Sequence, residues 1–404
     1  MSAGGILAVL IALVAITMWR PLRAVRAALD VSHLLATGHA FLVLGVLLGL
    51  TMDHPTERAL TSELTPLVSF VTGWIGFSVG VGFELKALRR MPGRLLAVAW
   101  TPAVAATAVV GVSAWPMLRA AGATLAESTG AALVVGLAAA NSAPTLAAML
   151  RRRRAGRLAD VRPTLRMVEL SATLDDALVV LLTLVAFALL RPPQEGTGPL
   201  EIIGLSLGAG VVLGVSAMLL LRGRASDDER LLLGFAVLTL AAGVAAWLRV
   251  SPTALAATAG FVLVNAAGER AASLVAVIRK AERPALVVLM TVIGVHTAHA
   301  ASWLALSILG LMTIGRGAAK LASGRALLRI QVPVGGPLAR SWALGLAPQG
   351  ALGLLVALTL FHVWPSELAR AVLGAVAVAS LLNEAAAPAL LARAVRTARR
   401  EAPA

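Results

Sequence analysis

Six charged side chains stand in stretches that are otherwise apolar: Glu169, Asp175, Asp176, Arg316, Lys320 and Glu384. A charge held out of water needs a partner, a water path or a task. Asp175 and Asp176 are adjacent, in Thr173-Leu174-Asp175-Asp176-Ala177. Neighbouring residues on a helix point about 100° apart. One carboxylate can therefore face a cavity while the other faces a neighbouring helix. A desolvated carboxylate can hold a proton or a small cation, but not both at once. Exposing one such site alternately to each side would exchange the two with no further chemistry.

Arg316 and Lys320 are the cations available to such a pair. Depth along the hydrophobic segment favours Arg316 as the partner of Asp175, and Lys320, one turn on, could extend to an interface. The two have different consequences. Arginine is always protonated, so an Asp175–Arg316 pair implies one proton per cation and an electroneutral cycle. A lysine can release its proton, so an Asp175–Lys320 pair allows two. Glu169 lies seven residues before Asp176 and shares its face, so it could line an inward funnel or pair at an interface with Arg166. Glu384, which follows Asn383, is open in the same way.

Two hydrophobic segments contain helix breakers at mid-depth, Asn141-Ser142-Ala143-Pro144 and Ala347-Pro348-Gln349-Gly350. A lone Pro means only a kink. Two breaks beside amide side chains, at corresponding positions of two halves, match the discontinuous helices of inverted-repeat transporters. Carboxylate, amide and backbone oxygens are hard ligands suited to small cations. Asn141, Ser142 and Thr173 are the expected supports of the aspartate pair.

The elements that position these residues follow from composition. Of 404 residues, 59% are hydrophobic and 14% charged, against about 25% charged in soluble domains. Mean hydropathy is +0.87. These values exclude a water-soluble globular enzyme and a disordered chain. There is no cysteine, so disulfides and thiol chemistry are excluded. The net charge of +15 occurs without a nucleic-acid motif, and basic loops that orient a multispan protein explain it. No cofactor is expected, and no metal beyond a transported cation; His54, His296, His299 and His362 have no ligand-like spacing.

Thirteen segments have the length and apolarity of membrane spans: 4–19, 36–52, 66–83, 94–118, 127–150, 165–190, 199–221, 230–249, 253–267, 284–300, 302–324, 340–361 and 367–392. The odd-numbered connections hold 28 of the 35 Lys and Arg and the even ones 5. That asymmetry places the N-terminus outside and the C-terminus in the cytoplasm of a cell inner membrane. Trp19, Trp115, Trp247, Trp303, Trp342 and Trp364 are expected at the interfaces. With six spans on either side of the seventh, the second half is inverted and the broken helices are the fifth of each half. The expected fold is all-α and polytopic, with two inverted repeats in one domain over 1–392 and a short tail over 393–404.

These residues resemble the bacterial cation:proton antiporters with an Asp-Asp motif, the NapA-like sodium/proton antiporters. Gly73-Trp74-Ile75-Gly76-Phe77 through Gly82-Phe83-Glu84-Leu85 and Leu88-Arg89-Arg90 is similar to the family's segment ending in Gly-Leu-Glu. Asn141-Ser142-Ala143-Pro144 stands at the family's break, Leu174-Asp175-Asp176 at its ion-binding pair, and Ile314-Gly315-Arg316 at its conserved basic position. The chain departs from the family in having Asn141 where a small hydroxyl or acidic residue is usual, and Arg where Lys is commoner. The resemblance implies that Asp176 carries the cation or proton, sodium or lithium with potassium open, and that Asp175 pairs with Arg316. It implies a moving core of 94–190 and 302–392, a scaffold for a homodimer of 4–83 and 230–300, and a connector at 199–221. The alternative is a sodium-coupled symporter of an organic solute on the same fold. An intramembrane aspartyl protease needs its two aspartates on facing helices, and here they are adjacent.

Overall fold

The computed structural model describes residues 32–144, 147–148, 161–190, 198–221, 226–280, 282–329 and 338–401. Among these the chain is helical and no strand occurs. It divides into two compact units, 1–90 with 187–299, and 91–186 with 300–404.

The first unit holds α1 (Ser32–Thr37), α2 (His39–Leu50), α3 (His54–Gly80) and α4 (Leu85–Arg89). The second opens with α5 (Gly93–Ala120), α6 (Leu125–Ala140) and α7 (Arg162–Leu190), which belongs to it as far as Ala186. The first resumes with α8 (Pro199–Leu220), α9 (Asp227–Leu248), α10 (Pro252–Ala267), α11 (Glu269–Lys280) and α12 (Glu282–Thr297). The second ends with α13 (Trp303–Gly310), a π-turn (Leu311–Gly315), α14 (Arg316–Ala326), 3-10 turns (Leu327–Arg329, Trp342–Leu346), α15 (Ala351–Val363) and α16 (Glu367–Glu401).

Spans two to four and six to thirteen of the sequence each coincide with a helix or a helix pair, and the fifth, 127–150, begins as α6 and is not fully described beyond Pro144. The first, 4–19, lies outside the described residues, as do Trp19 and the basic residues 20–26 on which the N-terminal orientation rests. Among the described residues seven helices are long and apolar enough to cross a membrane, and α2, α6, α10 and α15 are shorter apolar helices.

Glycine seams hold the first unit together. A Cβ on Gly45 or Gly49 of α2 would strike the backbone of α12 at Thr291 or Val295, and one on Gly294 would strike Leu42. Gly76 and Gly80 of α3 lie against Thr253 and Ala257 of α10. Gly210 and Gly214 of α8 lie against Leu255 and Ala259 of the same helix. Small residues four apart let helix backbones touch where lipid supplies no hydrophobic drive between helices. In all three pairs the residue numbers rise together, so the partners are parallel. The pairs are spans two and ten, three and nine, and seven and nine, each separated by an even number of spans, as alternating topology requires. The inverted repeat sends span two to nine and three to ten, so it converts the first pair into the second.

Three features differ from the sequence expectations. Trp342 is 0% exposed, and its indole nitrogen donates to Gly324 O at 3.1 Å, so it is a core residue and not part of an interfacial belt. Residues 393–401 of the expected short tail are helical and continue α16, whose 35 residues extend about 52 Å against a hydrocarbon core of about 30 Å. The backbone N–H of Arg340 donates to the Glu401 carboxylate at 2.9 Å. The amphipathic α11, with Ala271, Leu274 and Ile278 buried, sits where only a loop was expected.

Replacing Gly80 with Ala should lower stability by about 1–3 kcal/mol, because the new methyl meets backbone that cannot move aside. Gly208→Ala should leave it unchanged or raise it, since nothing lies within 4 Å of that position. Thermal melting in detergent checks both, and equal melting temperatures would mean that the seam is not close-packed.

Candidate functional site at the crossing of two interrupted helices

The site lies in the second unit and begins with what ends α6. A helix leaves its last four carbonyls without helical partners, and in an apolar interior each must find another donor. Leu137 O accepts from Asn141 N at 3.2 Å. Ala138 O accepts from Gln349 Nε2 at 3.0 Å, Ala139 O from Arg316 Nε at 2.8 Å and Ala140 O from Lys320 Nζ at 2.5 Å. All four are satisfied, three of them by side chains distant in sequence.

The second interruption uses the same arginine. Arg316 Nη1 donates to Ala347 O at 2.8 Å, and Nη2 to Leu346 O at 2.9 Å, Asn141 O at 3.0 Å and Pro348 O at 3.3 Å. One guanidinium thus binds five carbonyls drawn from both breaks. The extended stretches also meet directly, with Ala143 N donating to Pro348 O at 3.0 Å. The charge suits the place, because the carbonyl end of α6 carries the negative end of its dipole.

The position of Arg316 depends on the π-turn just before it. A π-turn carries an extra residue, so the helix beyond is rotated by about 100° relative to a regular continuation. Arg316 and Lys320, one turn apart, then both point at the crossing.

Asp175 and Asp176 occupy different surroundings, as their angular separation requires. Asp175 is 2% exposed, and its Oδ2 lies 4.0 Å from Lys320 Nζ, which also donates to Ser142 Oγ at 2.6 Å. The buried Oδ1 of Asp175 has no hydrogen-bond partner. The cation beside Asp175 is therefore Lys320, and the expectation that Arg316 takes that place is corrected. Depth favoured Arg316, but its donors are spent on carbonyls.

Asp176 is half-buried. Its Oδ1 accepts from Asn141 Nδ2 at 2.6 Å, while Asn141 Oδ1 accepts from Gly353 N at 3.0 Å. A backbone N–H can only donate, so the amide oxygen must face Gly353 and the NH2 must face Asp176. Asn141 therefore caps the first turn of α15 and orients Asp176, and its oxygen is not offered to a cation. Gly350 makes room for that amide, since a Cβ there would lie 2.5 Å from Asn141 Oδ1.

The aspartate helix is fixed by residues the sequence reading did not single out. Ser171 Oγ donates to Ala99 O, and Trp100 Nε1 donates to Leu174 O at 2.8 Å, tying α7 to α5. Asn383 Nδ2 donates to Gln349 Oε1 at 3.4 Å, joining α16 to the second break. An indole or amide inside an apolar run was the available signal for Trp100 and Asn383.

Two expected residues fall elsewhere, and a third is half-buried. Thr173 is exposed, and its hydroxyl donates to Glu169 O of its own helix at 2.9 Å, so it does not support the aspartates. Glu169 is half-buried. Glu384 is 1% exposed and lines no open funnel. Pro144, Pro348, Gln349 and Gly350 all lie at or beside the crossing.

The geometry defines a class: a polytopic helical fold in which two oppositely oriented helices break and cross beside an acidic pair. Among solved structures, that of the sodium proton antiporter MjNhaP1 from Methanocaldococcus jannaschii at pH 8 superposes with a TM-score of 0.63 at 14% identity, covering 96% of this chain and 99% of that one. An electron-microscopy structure of the same antiporter gives a TM-score of 0.61 at 14% identity, covering 95% and 97%. The chain has the fold of a sodium/proton antiporter. No protein-family model matches the sequence, and no curated protein matches it.

Replacing Arg316 with Met should destabilise the protein by about 3 kcal/mol or more, because several charge-assisted hydrogen bonds to buried carbonyls are lost together. Arg316→Lys should recover only part, having three donors where five carbonyls wait. Melting in detergent measures both, and a wild-type curve for the Met variant would mean that the carbonyls find other donors.

Proposed function

We propose that this protein exchanges a monovalent cation for protons across a membrane, with Asp176 carrying the load. The observation that supports this most is the asymmetry of the pair: Asp176 is half-buried and accepts from the Asn141 amide, whereas Asp175 is fully buried beside Lys320. The antiporter fold makes exchange the economical use of such a site. Sodium and lithium fit the hard oxygen donors best.

The cycle follows from the ligands. A cation approaching Asp176 displaces its proton. The unpartnered Oδ1 of Asp175 is a second oxygen for the same cation. A cation shared by both carboxylates weakens the hold of Asp175 on Lys320, and a lysine, unlike an arginine, can then release its own proton. Two protons would leave per cation bound, and the cycle would move net charge. This replaces the one-for-one, electroneutral cycle that an Asp175–Arg316 pair implied.

In this reading the unit of 91–186 and 300–404, which carries the site, is the moving core. The unit of 1–90 and 187–299 is the scaffold on which a homodimer forms, with the C-terminus in the cytoplasm. Rigid glycine seams suit a scaffold, and a core whose two broken stretches are bonded to one another can move as one piece.

Cation-driven proton flux in proteoliposomes tests the proposal. Asp176→Asn should reduce flux to the protein-free background while the variant still assembles; wild-type flux in that variant would overturn the role of Asp176. An imposed membrane potential should change the wild-type rate strongly and the rate of Lys320→Arg little. A wild-type rate indifferent to the potential would return the cycle to one proton per cation.

A further inference from the structure

The aspartate helix α7 must stand at one height and one rotation for Asp175 to reach Lys320 and Asp176 to reach Asn141. A slip of one residue would move the pair by about 1.5 Å and turn it by about 100°. Apolar contacts alone resist such a slip weakly, because they have no direction. Two hydrogen bonds to α5 supply the direction. Ser171 Oγ donates to Ala99 O, and Trp100 Nε1 donates to Leu174 O at 2.8 Å. They run opposite ways, between consecutive residues of α5 and residues one turn apart on α7, so together they oppose both sliding and rotation. Leu174 is the residue before Asp175, so the second bond ends at the pair itself.

The same α5 touches the rest of the site. A Cβ on Gly136 of α6 would lie 2.6 Å from Thr107 O of α5, and one on Gly111 of α5 would lie 3.1 Å from Ala132 O, so the two helices meet backbone to backbone ahead of the break at Asn141. Gly315, at the end of the π-turn, faces Val110 of α5, whose Cγ2 would lie 3.8 Å from a Cβ there. One helix is thus the common support of the broken helix, the cation-bearing helix and the aspartate helix. We propose that Trp100 is a positioning residue which, through Leu174 O, holds the aspartate pair in register with Asn141 and Lys320 and so sets the affinity of the site for its cation. Sites of this kind need their groups held within about 0.5 Å. The indole is 39% exposed, so it does not act chiefly by filling the core. A phenylalanine there keeps an aromatic ring and removes the N–H, and Leu174 O keeps its helical donor.

This inference rests on the antiport reading, and its test separates the two. Sodium binding to the purified protein in detergent is measured by calorimetry at alkaline pH, and sodium-driven proton flux in proteoliposomes, for wild type, Trp100→Phe and Ser171→Ala. One neutral hydrogen bond corresponds to about five-fold in an equilibrium. Trp100→Phe should weaken sodium binding and raise the apparent KM about five-fold, while the maximal rate stays within about two-fold and the melting temperature without sodium stays at the wild-type value. Ser171→Ala, which removes the other bond, should give the same split. A wild-type sodium affinity in Trp100→Phe, or a fall in its maximal rate alone, overturns the role of Trp100. Should Trp100→Phe not assemble, Ser171→Ala carries the test, and an unchanged affinity there overturns the tie. Wild-type protein that binds sodium without moving protons overturns the antiport reading and leaves this inference to be decided by the binding data. Wild-type protein that neither binds sodium nor moves protons overturns both.

Discussion

A helix interrupted inside an apolar layer exposes backbone groups that neither lipid nor water can satisfy, and the contact that resolves this is the grip of Arg316 on five carbonyls. Two interruptions at one level double the problem. The guanidinium solves both because its five N–H groups fan out from one plane and its charge is permanent. Other features of the site depend on that contact. It fixes the distance between the breaks, and hence the register in which Ala143 N meets Pro348 O. It leaves Ala140 O for Lys320, and so brings the ammonium to Asp175. It also sets where Asn141 stands, with one end on α15 and the other on Asp176.

The two units differ in what lies at their centres. In the first, parallel helices meet along glycines so closely that a methyl group would strike backbone, and dispersion between close-packed surfaces supplies the stability. In the second, the centre is polar: charges, amides and carbonyls satisfy one another around two extended stretches. A close-packed seam has few alternative arrangements. A network of hydrogen bonds between side chains and released backbone can exchange partners when one proton or one cation arrives. That contrast suits the proposed division into a part that holds still and a part that changes its load.

Spans and breaks were legible because each is a one-dimensional property. Hydropathy marks a span wherever it packs, and Pro with Gly or an amide side chain interrupts a helix whatever its neighbours. The aspartate pair was legible for a similar reason, since adjacent residues on a helix must diverge. The partner of Asp175 was not. Depth along a regular helix favoured Arg316, and the π-turn at Leu311–Gly315 altered the geometry without a sequence signature. The carbonyls that claim Arg316 exist only once both breaks are brought together. The orientation of the Asn141 amide depends on Gly353, far along the chain, and Trp342 was misplaced because a span end can be buried by a neighbouring helix. Ala271, Leu274 and Ile278 of α11 do carry a helical period, which is hidden by flanking charges on a segment too short to span.

The order of the two cations along α14 has a physical reason. At position 316 the task is to satisfy carbonyls from two helices at once. A lysine there would leave two of the five unserved, at about 1–3 kcal/mol for each buried group. At position 320 the proposed task is to gain and lose a proton as Asp175 changes partner. An arginine there would keep its charge and hold Asp175 in one state. The residues sit one turn apart, so a single helix presents a permanent charge to the architecture and a releasable one to the chemistry. Exchanging their identities would leave the composition and the net charge untouched, yet it would remove donors from the crossing and the second proton from the cycle.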